Sequence, residues 1–191
     1  PEQVAEAILR HMKTQFRESQ DNELRPCKIT YTAVISVYCS HGGSWAAAER
    51  ASELLDELEG LYNESQLDSY LPNAKTFGAV LSVFAKTAAE GSARSRQSTH
   101  DGSGDSLWQM TERLLERMEK LYLKTGSSEL RPSDILYGQV FRVLASGRDP
   151  EAASHALSLM KKLKAMKLHK DMNNGFGQNV HLDSTMYAYL I

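Results

Sequence analysis

Leu71-Pro72-Asn73-Ala74-Lys75-Thr76-Phe77-Gly78-Ala79-Val80 is one of three renderings of a single phrase. Arg25-Pro26-Cys27-Lys28-Ile29-Thr30-Tyr31-Thr32-Ala33-Val34 precedes it, and Arg131-Pro132-Ser133-Asp134-Ile135-Leu136-Tyr137-Gly138-Gln139-Val140 follows. In each copy an aromatic stands five residues after the proline, and apolar residues continue from it at i+3, i+4, i+7 and i+8. The sets are Tyr31, Val34, Ile35, Tyr38, Cys39; Phe77, Val80, Leu81, Phe84, Ala85; and Tyr137, Val140, Phe141, Leu144, Ala145. That spacing puts each set on one stripe of an α-helix. A fourth, partial copy has Leu182 in the proline's place, with Tyr187, Leu190 and Ile191 on the stripe. A repeated unit of this kind cannot bury its apolar face alone and must stack on its neighbours.

A second helical pattern follows each copy. Ala51, Leu54, Leu55 and Leu58 match Thr111, Leu114, Leu115 and Met118, then Ala153, Ala156, Leu157 and Met160. Ala5, Ile8, Leu9 and Met12 give the same set at the start of the chain. The unit is therefore a helix pair, opened by the proline phrase and closed by a longer second helix. Proline suits a helix start through its fixed φ and missing donor, and Asn73, Ser133 and Asp183 are good N-caps. These patterns predict an all-α fold, a solenoid of antiparallel helix-turn-helix repeats.

Unit spacing is uneven: 46 residues from Pro26 to Pro72, 60 from Pro72 to Pro132 and 50 from Pro132 to Leu182. The longest excess, about 88–106, contains Gly91-Ser92-Ala93-Arg94-Ser95-Arg96 and Gly102-Ser103-Gly104 and has no apolar period, so a disordered insertion is expected there. A second excess, Asp171–Gln178, carries turn signals. The organisation read from this is a second helix of a preceding repeat at 1–25, repeats at 26–71, 72–131 and 132–181, and the first helix of a truncated repeat at 182–191. The chain thus reads as a piece of a longer array.

The proline, the Thr-Tyr or Thr-Phe step, the Val-Ile/Leu pair and the Ala-x-x-Leu-Leu-x-x-Met/Leu second helix together resemble the pentatricopeptide repeat family, as a divergent member with long units. The resemblance covers most of the chain. It implies a right-handed α-solenoid whose first helices line a groove for single-stranded RNA, about one base per repeat. It also implies a place in organellar RNA processing, stability or translation, in a mitochondrion or plastid. By the same resemblance the base-reading pairs fall on Thr32 with Asn73, Gly78 with Ser133, and Gly138 with Asp183. The first pair would favour adenine, and the glycines offer a base no side chain. The base-sandwiching position falls on Ile29, Lys75, Ile135 and Thr185. A plainer reading stands beside this one: the polar residues are N-caps, and the glycines allow close helix packing.

Charge and chemistry narrow the classes. The 191 residues carry a net charge of −2, poor for a protein held on RNA by phosphate contacts alone. Lys28, Lys75, Lys86 and Arg142, with Asp134 the only acid, make the first-helix side the more basic one, whereas Glu49, Glu53, Asp56, Glu57, Glu59 and Glu64 face Arg50 on a second helix. Cys27 and Cys39 form no CxxC pair and read as reduced packing or boundary residues. No apolar run approaches the roughly 20 residues of a membrane span, so no membrane partner is expected. No His-x-Glu with Cys-x-x-Cys, phosphate loop, ligand-spaced histidines or nucleophile–base grouping is present. The chain is read as a non-enzyme without metal or cofactor. Trp45 and Trp108 each open a second helix, as staples rather than stacking platforms. Single-stranded RNA is the expected partner, and a protein–protein scaffold using the same groove is the alternative.

Overall fold

Every proline phrase starts a helix, and the first intrahelical bond explains the spacing. The aromatic's backbone N–H donates to the carbonyl of the residue after the proline: Tyr31 to Cys27 at 3.1 Å, Phe77 to Asn73 at 3.1 Å, and Tyr137 to Ser133 at 3.2 Å. The proline fixes the approach, the next residue caps, and the aromatic closes the first turn. Pro26, Pro72 and Pro132 are buried, as are Tyr31, Phe77 and Tyr137.

The structure, a computed structural model, describes residues 1–40, 43–94, 106–146 and 150–168. Among these the chain is all-helical, with seven α-helices and no strand. It divides into two compact units, Pro1–Thr87 and Ala88–Ile191. The first holds α1 (Glu2–Ser19), α2 (Lys28–Ser40), α3 (Trp45–Ser65) and most of α4 (Ala74–Arg94). The second holds α5 (Leu107–Thr125), α6 (Asp134–Ser146) and α7 (Pro150–Leu168). No described helix is long and apolar enough to cross a membrane.

In the first unit α2 packs on α1 and α3, and α4 closes against α2 and the turn before α3. Lys86 Nζ donates to the Cys39 carbonyl at 2.8 Å, and Thr87 Oγ1 to the Ser44 carbonyl at 3.2 Å. The turn approaches so closely that a Cβ on Gly43 would lie 2.4 Å from the Lys86 and Thr87 backbone. Only glycine fits there. In the second unit α6 packs on α5 and α7. The predicted stripes supply both cores, including Val34, Ile35, Val80, Leu81, Phe84, Val140, Phe141 and Leu144. Tyr38 and Cys39 at the end of the first stripe are half-buried, and Ala145 at the end of the third is exposed. Both cysteines are free thiols.

The second helices share an ending the sequence did not announce. α1, α3 and α5 stop at Gln20, Gln66 and Gly126, all left-handed, with φ of 55°, 55° and 65°. Each cap N–H returns to an aromatic carbonyl four residues back, on Phe16, Tyr62 and Tyr122. This is the αL helix stop, here built twice on glutamine. A single 3₁₀ turn then leads to the next phrase at Asn22–Leu24 and Ser128–Leu130, each running into an identical Glu-Leu-Arg-Pro.

Three expectations need correction. α4 continues to Arg94, so 88–94 of the stretch expected to be a disordered insertion is helix; 95–105 lies outside the described residues. The buried stripe of α7 is Ala152, Ala156, Met160 and Leu163, not the expected Ala153 and Leu157, which is 51% exposed. Among the described residues α7 meets α6 and α5, so only the side turned to them is covered. Ile8 is 55% exposed although its repeat equivalents Leu54, Leu114 and Ala156 are buried. It shares an open apolar face of α1 with Val4 and Ala7, edged by Gln3 and His11.

Candidate nucleic-acid interface

The residues singled out by the resemblance gather at the starts of the first-type helices. Ile29, Lys75 and Ile135 each occupy the second helical position, two before the buried aromatic. Two residues advance about 200° around an α-helix, so a core-facing aromatic turns this position to solvent. Ile29 is 73% exposed, Ile135 is 76% exposed, and Lys75 is exposed too. Thr185, the fourth such position, lies outside the described residues.

The structure brings Thr32 and Asn73 together through Thr76, the threonine of the Thr-Phe step, to which the sequence reading gave no site role. Asn73 Oδ1 accepts from the backbone N–H groups of Lys75 and Thr76, both at 3.1 Å, and caps α4. It also lies 3.2 Å from Thr76 Oγ1. Thr76 Oγ1 in turn sits 2.8 Å from Thr32 Oγ1, across from α4 to α2, and Thr32 Oγ1 lies 2.7 Å from the Lys28 carbonyl. Thr76 is fully buried, whereas Thr32 and Asn73 are half-buried. Asn73, which the resemblance assigns to base reading, is therefore engaged as the cap of α4. The available signal was a Thr three residues after the cap, as in Cys27/Thr30 and Asn73/Thr76 but not Ser133/Leu136.

Gly78 and Ser133 belong to different compact units. Ser133 Oγ accepts only weakly from Leu136 N–H at 3.3 Å, as an N-cap. Asp183, the partner of Gly138, lies outside the described residues. At Gly138 an added Cβ would meet nothing within 4 Å among the described residues, so close packing finds no support there.

Electrostatics at these starts are modest. Lys75 and Arg142 are exposed and Lys28 is half-buried. Lys86, counted among the basic residues of this side, is instead committed to the Cys39 carbonyl. Cys27 holds the cap position of α2. Burial works to raise its thiol pKa, but hydrogen bonds from the Thr30 and Ile29 backbone and the Thr30 hydroxyl, with the charge of Lys28, together outweigh this, and the pKa falls below its ordinary value.

The acidic run of α3 is not simply a solvated face. Glu6 of α1 takes a fork from Arg50, with Nε to Oε1 at 2.6 Å and Nη2 to Oε2 at 2.9 Å. Glu53 receives Arg50 Nη1 at 2.7 Å, and Glu57 receives both Lys13 and the Tyr31 hydroxyl. Tyr38 donates to Glu6 at 2.8 Å, and burial together with that carboxylate pushes its hydroxyl up to about 12. In the second unit Trp108 is buried and lies 4.6 Å from the His155 ring, an internal packing role. No group of three or more His, Cys, Asp or Glu gathers as a metal site would require among the described residues. Compared with known proteins, the chain matches no family model, no curated protein and no solved structure.

Proposed function

We propose that the chain belongs to a right-handed α-solenoid of the pentatricopeptide kind, a divergent one, and that it binds single-stranded RNA along the starts of its first-type helices. The setting that goes with this reading is RNA processing, stability or translation in a mitochondrion or plastid. The observation that carries it is the exposure of Ile29 and Ile135 at one repeat position, 73% and 76%, beside aromatics that are fully buried. A lone exposed isoleucine is ordinary, but two at the same place in the unit, with Lys75 at the third, form a repeated surface feature. Single-stranded RNA supplies what such a surface lacks: unstacked bases to cover aliphatic side chains, and phosphates for a nearby lysine.

Each side chain then has a physical role. Ile29 and Ile135 cover base faces, Lys75 meets a phosphate, and Thr32 with Asn73 addresses one base edge. A hydroxyl both donates and accepts, and a carboxamide carries two donors besides its oxygen. Gly78 and Gly138 leave their positions unread. Ser133 serves chiefly as a cap. The alternative, a protein–protein scaffold using the same face, draws support from Lys86, whose commitment to Cys39 leaves few cations for phosphate.

The test is titration with end-labelled single-stranded RNAs of mixed sequence and with the same sequences as duplexes. The single strands should bind, and more tightly than the duplexes. Lys28, Lys75 and Arg142 neutralise at most a few phosphates, so affinity should fall no more than about twentyfold between ~50 and ~200 mM salt. No binding to single strands at low salt, or equal binding to duplexes, refutes the reading.

A further inference from the structure

We infer that Thr76 sets the base preference of one RNA position without touching the base, by fixing how the Thr32 hydroxyl is presented. This rests on the RNA-binding reading above and extends it to a residue outside the read pair.

Thr32 Oγ1 lies 2.7 Å from the Lys28 carbonyl and 2.8 Å from Thr76 Oγ1, and Thr76 Oγ1 lies 3.2 Å from Asn73 Oδ1. Two hydroxyl protons face three contacts. If Thr32 donated to Lys28 while Thr76 donated to Asn73, two oxygens would meet at 2.8 Å with no proton between them, which is repulsive. Two arrangements remain. Either Thr32 donates to Lys28 and Thr76 donates to Thr32, or Thr32 donates to Thr76 and Thr76 donates to Asn73. In the first, Asn73 Oδ1 is still served by the Lys75 and Thr76 backbone N–H groups.

Both arrangements turn the Thr32 proton inward. What remains outward is lone-pair density, so Thr32 meets a base as an acceptor. Placed against the exocyclic substituent at C6 of a purine or C4 of a pyrimidine, it therefore selects a group that donates, the amino group of adenine or cytosine, over the keto oxygen of guanine or uracil. Thr76 enforces this because its hydroxyl is fully buried and has no water to turn to. Without it, among the described residues, only the Lys28 carbonyl holds Thr32, whose proton is then able to swing out toward a keto oxygen. Thr30 holds the same repeat position in α2, but its hydroxyl faces Cys27, with the Cys27 N–H at 3.4 Å. It is the natural control.

The experiment uses the whole chain and short RNAs in which each of the four bases is scanned through each position. Wild type should favour amino over keto bases at one position by roughly threefold to tenfold, the effect of one ordinary hydrogen bond. Thr76→Val should reduce that ratio to below about twofold while binding of the best mixed sequence persists, Thr76→Ser should restore it, and Thr30→Val should leave it unchanged. Should the valine variant not fold, Thr76→Cys replaces the hydroxyl by a weak donor and should show the same loss. A merely structural Thr76 would lower the melting temperature and leave the ratio intact, which overturns the inference alone. Wild-type binding without any amino preference also overturns it alone. Absence of wild-type binding removes both this inference and the RNA reading.

Discussion

Within each compact unit the second helices are joined by rungs of the same spacing but different chemistry. In the first, Glu6 of α1 meets the Arg50 fork of α3, and Lys13 meets Glu57 one rung further on. In the second, Glu112 of α5 meets His155 of α7 at 2.6 Å, and Glu119 meets Lys162 at 3.1 Å. Rungs seven residues apart lie two turns apart on one helix face. Glu6 and Glu112 hold one repeat position, as do Lys13 and Glu119. On α1 and α5 the repeat therefore preserves where a rung goes and lets its charges differ or reverse, whereas Arg50 and His155 on the facing helices are not repeat equivalents. What is common to both units is the apolar stripe beneath.

That stripe gives the largest expected effect. Phe77→Ala and Tyr137→Ala should each destabilise their own unit by about 3–5 kcal/mol, since both remove an aromatic that is essentially fully buried. Urea unfolding followed separately through Trp45 and Trp108, with the other tryptophan replaced by Phe, reads each unit. A much smaller loss at either position would break the equivalence of the two cores.

The rungs should differ. The Arg50 fork holds the Glu6 carboxyl below its ordinary range, against the opposing effect of burial and with help from Tyr38. A carboxylate with a lowered folded pKa adds stability that is complete above its unfolded pKa and is lost as pH falls through the folded value. Glu6→Gln should therefore cost about 1–2 kcal/mol near neutrality, discounted for the partial exposure of Arg50. The difference from wild type should shrink from about pH 5 downward. Glu112→Gln should cost under about 0.5 kcal/mol, because its pair with His155 is well exposed, at 35% and 42%. Equal losses, or a Glu6 effect independent of pH, would contradict the difference between the units.

A smaller effect concerns the helix stops. Gln66→Gly should stabilise the first unit by roughly 0.5–1 kcal/mol, and Gly126→Gln should destabilise the second by a similar amount, because a left-handed residue with a Cβ is strained. Unfolding midpoints should move in opposite directions.

These features divide by how far apart their causes lie in the sequence. Helix starts were legible because proline, cap and aromatic fall within six residues and act on one turn. Exposure of Ile29 and Ile135 was legible from helix geometry once the aromatic's side was known. The stops at Gln20 and Gln66 were not, since glutamine carries no left-handed signal and is held there by the chain around it. The rungs join residues 43 or 44 positions apart, and no local pattern marks them. Nor does periodicity tell whether a neighbour covers the stripe, as Ile8 against Leu54 shows. At the candidate site, Asn73 was legible as a cap, while its link to Thr32 ran through Thr76 and needed the packing of α4 on α2.

The most direct test of the account is RNA affinity in the double variant Ile29→Asp and Ile135→Asp. Both side chains stand mostly in water, so the substitution should leave the unfolding midpoint of each unit nearly unchanged. It should also place a carboxylate where a base is held, and lower affinity for single-stranded RNA by at least about tenfold. Unchanged affinity in a folded double variant would contradict the claim that the helix starts form the RNA-binding face.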